Sequence, residues 1–515
     1  MKAQTVRKLR HWVQLLAFLF FLFLLIGAGR TGFLPADLFF RLDPLAGLTN
    51  MIAARQVVPA LLIGSLIVLA VSLVLGRVWC GWLCPLGTVL DWAPAHRARP
   101  KESDLPVRWR QAKYFLLLLI LLMAVLGSAS LLFLDPITLT YRTATSAAWP
   151  ALNALVTGSE QALYAVPWLR GLVDAFEGAL RGSLFPTYQP LYGLGVLAAL
   201  LFLGLVALNA VRDRFWCRYL CPLGALMGLA SKFAWLRRTV GSACVDCQRC
   251  ARACPTGTID AAHGFESDPA ECVMCLECVP VCARVEQHFV WRAPWRRAGN
   301  VLPVWRPYDP SRRQFIASAA VAVTAAGLLG SERTAGRDDA RLIRPPGARK
   351  PEFMAQCIRC GVCLKVCPTS GLQPSLTSAG WAGTWTPVLV PRLGPCDFSC
   401  NACGQACPTG AIPPLGLDEK QQTVIGHAYI DRSRCIPWVD GRNCIVCEEM
   451  CPLPDKAIKL EELEVWTPGG VTAQVRRPYV VHDRCIGCGI CENKCPLKGE
   501  PAIRVYPPSE VGATG

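Results

Sequence analysis

The chain has 515 residues, 52% of them hydrophobic, with 28 cysteines and a mean hydropathy of +0.33. That composition excludes an ordinary soluble enzyme and points to a protein partly embedded in a membrane. A formal charge of +16 would suit nucleic acid, but the basic residues flank apolar runs, which assigns them to membrane topology and leaves no nucleic-acid partner.

In chain order, four apolar runs approach the roughly 20 residues that a bilayer crossing needs: Trp12–Gly29, Val57–Gly76, Tyr114–Leu134 and Leu191–Val211. Lys2, Arg7, Lys8 and Arg10 precede the first. Its apolar stretch is longer than a secretory signal core and has no clear small-x-small cleavage site behind it, so a retained helix is expected. Lys and Arg number four before the first run, seven between the second and third, and fifteen from the fourth to Arg313, against three in each alternate loop. The positive-inside rule then puts the N-terminus and the 77–113 and 212–313 segments in the cytoplasm. His11 opens the first run and reads as interfacial.

The apolar half is an internal repeat. "FRLDPLAGLT" (40–49) follows the first run and "LFLDPITLT" (132–140) the third; "VWCGWLCPLG" (78–87) follows the second and "FWCRYLCPLG" (215–224) the fourth. The two halves share one orientation, which predicts a parallel repeat about an axis along the membrane normal. The 56-residue second external loop (135–190), rich in aromatics, is expected on the outer membrane surface. Asp43 and Asp135, each before a proline, read first as helix N-caps with Pro at N1 and second as proton acceptors at a membrane edge.

The repeat brings two Cys-x-x-x-Cys pairs to equivalent positions, so that Cys80, Cys84, Cys217 and Cys221 can converge into one four-sulfur site. A pair spaced i, i+4 would share a helix face, and Pro85 and Pro222 would bend or end that helix. Thiolates suit iron, an iron–sulfur centre, Cu(I) or zinc; four packed structural cysteines are the alternative.

The other 24 cysteines form six groups of four. Two have the C-x-x-C-x-x-C-x-x-x-C run of bacterial ferredoxins: Cys244, Cys247, Cys250, Cys254, and Cys272, Cys275, Cys278, Cys282, the latter with Ala283 where Pro usually follows. In such runs the fourth cysteine serves the neighbouring cluster, so Cys254 is expected on the second cluster and Cys282 on the first. Four more follow: Cys357, Cys360, Cys363, Cys367; Cys396, Cys400, Cys403, Cys407; Cys435, Cys444, Cys447, Cys451; and Cys485, Cys488, Cys491, Cys495. The middle two are stretched between their first two cysteines. Zinc is the rival for an isolated C-x-x-C, but six complete runs specify 4Fe–4S clusters. Glu448 and Glu449, in a cluster loop, read as solvated. There is no C-x-x-C-H haem motif, and none of the six histidines lies well inside an apolar run.

Ser311, Arg312, Arg313 and Phe315, ahead of a moderately apolar stretch to 330, read as a twin-arginine export signal, with a basic anchor before a fifth membrane helix as the alternative. Four domains are expected: a four-span membrane domain (1–235), a cytoplasmic two-cluster ferredoxin domain (236–300), the signal or fifth helix with its linker (301–345), and a four-cluster domain (346–515). The fold class is an α-helical membrane domain, a four-helix parallel repeat with a fifth helix, plus α+β bacterial-ferredoxin-like domains.

These motifs resemble a family pair. Residues 1–300 resemble NapH-type membrane ferredoxin proteins, and residues 309–515 resemble NapG/MauM-type exported four-cluster polyferredoxins, here in one polypeptide. The resemblance implies six 4Fe–4S clusters, quinol as substrate, and the quinol pool, a periplasmic reductase (nitrate or nitrous oxide type) or its carrier, and the twin-arginine machinery as partners; one further cysteine-ligated metal or iron–sulfur centre is the first of the two readings of Cys80, Cys84, Cys217 and Cys221. It implies a multi-pass protein of the bacterial inner membrane with a periplasmic C-terminal domain. The Cys-x-x-x-Cys-Pro string is shared with NosR-type regulators and CcoG-type copper-handling proteins, so a metal-reducing maturation factor is the alternative function. Similarity to four-cluster electron-transfer subunits suggests that the outer two C-terminal motifs pair with each other, and the inner two likewise.

Overall fold

A computed structural model describes residues 3–28, 35–93, 107–182, 184–186, 188–259, 264–282, 287–291, 312–334, 342–348, 352–466 and 472–508. Ala283, Ser311, residues 292–300 and 509–515 lie outside these. The chain divides into two compact units: Met1–Ile26, Leu34–Thr143 and Leu197–Ser331 form the first, and Gly27–Phe33, Ala144–Val196 and Glu332–Gly515 the second.

The first unit is built on long helices: Ala3–Ile26, Pro59–Leu75, Gln111–Val125, Gly195–Ala207 and Arg312–Thr334. Among the described residues, Arg7–Ile26 is the stretch that is both long and apolar enough to cross a membrane by itself. The other expected spans are shorter helices than the apolar runs suggest. Gly127, at φ +78, ends the third, and the chain continues as a 3-10 turn over Ser130–Leu134. The fourth begins at Gly195 because Leu191–Gly193 is hydrogen-bonded into the second unit.

Each Leu-Asp-Pro string starts a short buried helix, Pro44–Ala54 and Pro136–Thr143. Asp43 Oδ1 accepts from Leu45 N and Ala46 N at 2.9 and 3.2 Å. Asp135 Oδ2 accepts from Ile137 N and Thr138 N, both at 2.9 Å. The N-cap reading therefore holds at both places. Leu45, Leu61, Ile120, Met123, Ile137, Leu223 and Met227 fill the core. Ala322 of the Arg312–Thr334 helix is buried against Leu119 and Met123.

The part of the first unit after residue 235 is a small ferredoxin fold closed by an antiparallel pair, Leu236–Val240 with Gln287–Trp291. The second unit repeats the theme on a larger scale. Leu372–Pro374 pairs antiparallel with Pro387–Leu389, His427–Ile430 with Ile503–Tyr506, and Ile458–Trp466 with Thr472–Val480. Its core joins Leu364, Leu372, Ile412, Ile425, Ile458 and Val505 to the cysteines themselves. From the segment expected on a membrane surface Trp149 packs here, as do Tyr192 and Gly193 just beyond it, while Leu155, Trp168 and Leu172 stay exposed. Tyr192 Oη donates to Leu364 O at 3.0 Å, Gly193 N to Gln373 Oε1 at 3.0 Å, and Lys365 Nζ sits 4.0 Å from the Trp149 ring centroid. Aromatics chosen to cover protein look the same in sequence as aromatics chosen for a lipid interface.

Candidate iron–sulfur sites

In the first unit Cys80, Cys84, Cys217 and Cys221 are all buried and act on one another electrostatically. The repeat thus brings the four thiols together as expected, though not by sharing a helix face. Trp79–Leu83 and Trp216–Leu220 are single π-helical turns, and Cys84 and Cys221 stand in extended conformation after them. Pro85 and Pro222 start the next helices at N1 rather than ending the previous ones, where a missing N–H costs nothing. The wider turn holds the second cysteine off the helix, free to face its symmetry mate.

Sequence reasoning missed the residues around these thiols, although the repeat carried them: both halves read R-x-W-C. Arg77 and Arg214 are fully buried. Arg214 Nη1 donates to Cys80 O at 3.1 Å, and Arg77 acts on both Cys80 and Cys221. Each arginine crosses to the other half, since a Cβ on Gly224 would lie 2.6 Å from Arg77 Nη2 and one on Gly87 would lie 3.7 Å from Arg214 Nη2. Arg77 Nη2 and the indole N–H groups of Trp79 and Trp216 are buried without an acceptor. Orphan donors and two guanidiniums beside four thiols are what an anionic sulfur-rich centre requires, so the residues fit the group. Burial pushes the thiols of Cys84, Cys217 and Cys221 up, so that loading such a centre must release protons. Among the described residues no three Cys, His, Asp or Glu side chains converge tightly enough for a single metal ion; a multi-iron cluster spreads its thiolates more widely.

The two strings differ at three positions, Val78/Phe215, Gly81/Arg218 and Trp82/Tyr219, and the Gly81/Arg218 difference is steric. Gly81 in the first repeat corresponds to Arg218 in the second, and a Cβ on Gly81 would lie 2.0 Å from Val273 O. The loop of Cys272, Cys275 and Cys278 is therefore docked on the first repeat. Trp82 Nε1 donates to Met274 O at 2.9 Å, Arg77 Nη1 to Ala270 O at 3.0 Å, and Arg10 Nη1 to Cys275 O at 2.9 Å. Buried ions fasten it: Lys113 Nζ lies 2.6 Å from Glu271, and Arg10 pairs with Glu277 at 2.9 Å. His11 joins the same group, 3.5 Å from Glu277, rather than marking a bare interface. Gly81→Val is expected to displace the 272–278 loop, read as a changed EPR signal of the cluster bound there with total iron unaltered.

Asp91 is shared by Arg10 and by Arg214, which reaches it through two bonds of 2.7 and 2.8 Å. Burial alone would raise its carboxyl; Arg214 and then Arg10 hold it at about 2. The stabilisation is complete above the ordinary carboxylate range near pH 4 and is lost as pH falls through about 2. Asp91→Ala leaves the buried Arg214 guanidinium without its counter-ion and Arg10 with Glu277 alone, which costs about 3–5 kcal/mol; a drop of several degrees in the thermal midpoint is the expected reading.

The cysteine groups interleave. One cavity is lined by Cys254, Cys272, Cys275 and Cys278, so Cys254 does join the second motif. In the second unit, one cavity is lined by Cys357, Cys360, Cys363 and Cys407, and another by Cys435, Cys444, Cys447 and Cys495. Cys403 faces Cys396, Cys400 and Cys367; Cys488 and Cys491 face Cys485, with Cys451 acting on Cys485. The first C-terminal motif thus pairs with the second and the third with the fourth, which corrects the outer-with-outer expectation. The two pairs meet where Cys396 N donates to Cys488 O at 2.8 Å. Glu448 is not simply solvated, since Lys456 Nζ lies 2.8 Å from it.

Comparison with known proteins agrees with this donor chemistry. Two family patterns match, each described as a 4Fe-4S binding domain, one over residues 57–101 and 194–242 and the other over 478–498. The fold and the cysteine groups define a ferredoxin-type iron–sulfur protein. The chain is 37% identical over 224 residues to the methylamine utilization ferredoxin-type protein MauM of Methylorubrum extorquens, covering 41% of this chain and 94% of that one. It is 36% identical over 205 residues to the ferredoxin-type protein NapG of Escherichia coli, covering 38% and 85%. It is 27% identical over 255 residues to the putative electron transport protein YccM of Escherichia coli, covering 46% and 59%. The chain belongs to the MauM/NapG family of ferredoxin-type proteins. No solved structure matches it.

Proposed function

We propose that this chain is a membrane-bound quinol dehydrogenase that fuses a NapH-type membrane domain to a NapG/MauM-type polyferredoxin and delivers electrons to a periplasmic reductase or its carrier. The observation that carries this reading is the docking of the Cys272–Cys278 loop onto the first repeat, beside the four thiols, inside the first unit.

Three features support the membrane placement. Leu16, Leu19 and Phe23, Ile63, Leu66 and Ile67, and Leu200, Leu201 and Leu203 are all exposed on their helices, an apolar coat too large for water. The Arg312–Thr334 helix, basic at its start, packs on Gln111–Val125, which suits a retained fifth crossing that begins as a twin-arginine signal. Residues 144–196, external by the charge distribution, share a unit with 332–515, which argues for a periplasmic C-terminal domain.

The six groups of cysteines would hold six 4Fe–4S clusters, and Cys80, Cys84, Cys217 and Cys221 a further centre. Bound, these groups supply one-electron transfer. The protein's part is to bury the thiolates, to balance their charge with Arg77 and Arg214, and to fix neighbouring groups through crossed fourth cysteines. In the second unit the crossing order runs from the Cys357 group through Cys396 and Cys485 to Cys435. Tyr192, bonded beside Cys363 and Cys367, marks the first end and the Cys435 group the last, where a partner would receive electrons.

Quinol reduction of the anaerobic protein in membranes, followed by EPR, tests the reading: the iron–sulfur signals are expected to appear with a menaquinol analogue. Signals that dithionite produces and quinol never does would overturn it. A reporter fused after Gly515 is expected to be active only outside the cytoplasm. A metal-reducing maturation factor is the second reading, favoured by four buried thiols of the kind that bind Cu(I).

A further inference from the structure

The two N-cap aspartates do more than cap. Asp43 and Asp135 have no exposed surface, and capping uses one oxygen of each. The others, Asp43 Oδ2 and Asp135 Oδ1, are buried and accept from no donor, while the two side chains lie within hydrogen-bonding reach of each other. Two carboxylate oxygens cannot bond without a proton, and two buried carboxylates in contact cannot both ionise.

Among the described residues, the basic groups around the pair are engaged elsewhere. Arg41 is bound to Asp37 at 2.9 Å, Lys113 to Glu271, and Arg10 and Arg214 to Asp91. Tyr114 bonds to Glu271. The cap does not demand this arrangement, because asparagine or serine caps as well. Twice, the repeat places the one capping residue that can also carry a proton.

We propose that Asp43 and Asp135 form a dyad that holds one shared proton, and that this dyad takes protons from quinol; the second half rests on the quinol reading above. Quinol oxidation releases two electrons, which pass to iron–sulfur centres, and two protons. One O–H bond breaks onto the singly protonated dyad, which becomes neutral and returns a proton to the outer water before the second O–H breaks. Burial raises both carboxyls, and Asp135 raises Asp43 further, whereas the hydrogen bond from Asp43 holds Asp135 back to about 6; the shared proton therefore rests on Asp43 near neutrality.

Infrared difference spectroscopy on the full-length protein tests both halves. At pH 7, without quinol, a protonated-carboxyl C=O band that shifts in heavy water is expected. It should vanish in Asp43→Asn and in Asp135→Asn, which keep the caps, and move in Asp43→Glu. Absence of the band in the wild type, or its persistence unchanged in all three variants, overturns the dyad. Quinol reduction of the clusters is expected to slow by at least ~100-fold in the Asn variants, as for loss of a general base, with dithionite reduction intact. A wild-type rate in variants that have lost the band overturns the role towards quinol and leaves the shared proton standing. A wild type that shows the band but is never reduced by quinol refutes the quinol reading instead.

Discussion

Cys80→Ser combined with Cys217→Ser is expected to stop quinol from reducing the protein while its 4Fe–4S clusters stay in place. One thiol is lost from each repeat, so the four-sulfur site keeps Cys84 and Cys221 only, too few to hold a centre. The six cluster groups use none of these residues. The loss should exceed the 10–100-fold that removal of an outer-shell partner costs. Iron content and the dithionite-reduced EPR spectrum report on the clusters independently, so a folding defect is separable from a broken path. Serine is close to cysteine in volume, and the site's surroundings are polar: Arg77, Arg214 and the two indole N–H groups are already buried there. The hydroxyls therefore have donors to meet.

The same variant separates the two functional readings. If the thiols relay electrons, the double variant loses quinol reduction and nothing else. If they carry copper during maturation of another protein, the wild type binds Cu(I) stoichiometrically, the variant loses that binding, and quinol reduces neither. Arg77→Gln is a milder probe. It removes a buried positive charge acting on Cys80 and Cys221, so a centre that stays bound becomes harder to reduce, and its midpoint potential should fall.

Much of the site was legible because its chemistry is written as spacing. Cysteine runs declare ligands whatever the surrounding fold, and the duplicated W-C-x-x-L-C-P-L-G string announced that two pairs must meet. What spacing could not convey was shape. The cysteine pair was expected on one helical face, whereas a π-turn ending at Cys84 presents it from two elements. Helix ends were hidden for a related reason: Tyr114–Leu134 is apolar throughout, and only the positive φ of Gly127 divides it. Arg77 and Arg214 were visible in the repeat but read as topology signals, since a basic residue at the end of an apolar run is the pattern expected of a cytoplasmic anchor. That each is buried against the opposite half depends on packing that no local pattern encodes. The aspartates show the converse. Their capping role was legible in full, while the meeting of their spare oxygens required two segments 92 positions apart to be brought together.

Cluster pairing supplies the second large effect. Cys407→Ser is expected to strip the cluster held by Cys357, Cys360 and Cys363, although Cys407 belongs by sequence to the next motif. Cys367→Ser should instead remove the cluster of Cys396, Cys400 and Cys403. Each loss is about four iron atoms, with one component missing from the EPR spectrum. Under outer-with-outer pairing, Cys407→Ser would deplete the Cys435 group and leave the Cys357 group untouched. The two outcomes can be told apart by thiol alkylation, since the three cysteines of an emptied site become reactive together while bound thiolates do not. The consequence reaches beyond ligand assignment. Crossed cysteines between adjacent motifs tie the first pair into one rigid module and the second pair into another, and the modules touch at Cys396 and Cys488. On the proposed route, electrons that enter beside Tyr192 cross the junction at Cys396 and Cys488 to reach the Cys435 group. A variant that empties the Cys396 site should isolate the last two clusters from quinol while leaving them reducible by dithionite. Outer-with-outer pairing would instead put the first and last groups side by side, and the same variant would leave a path open.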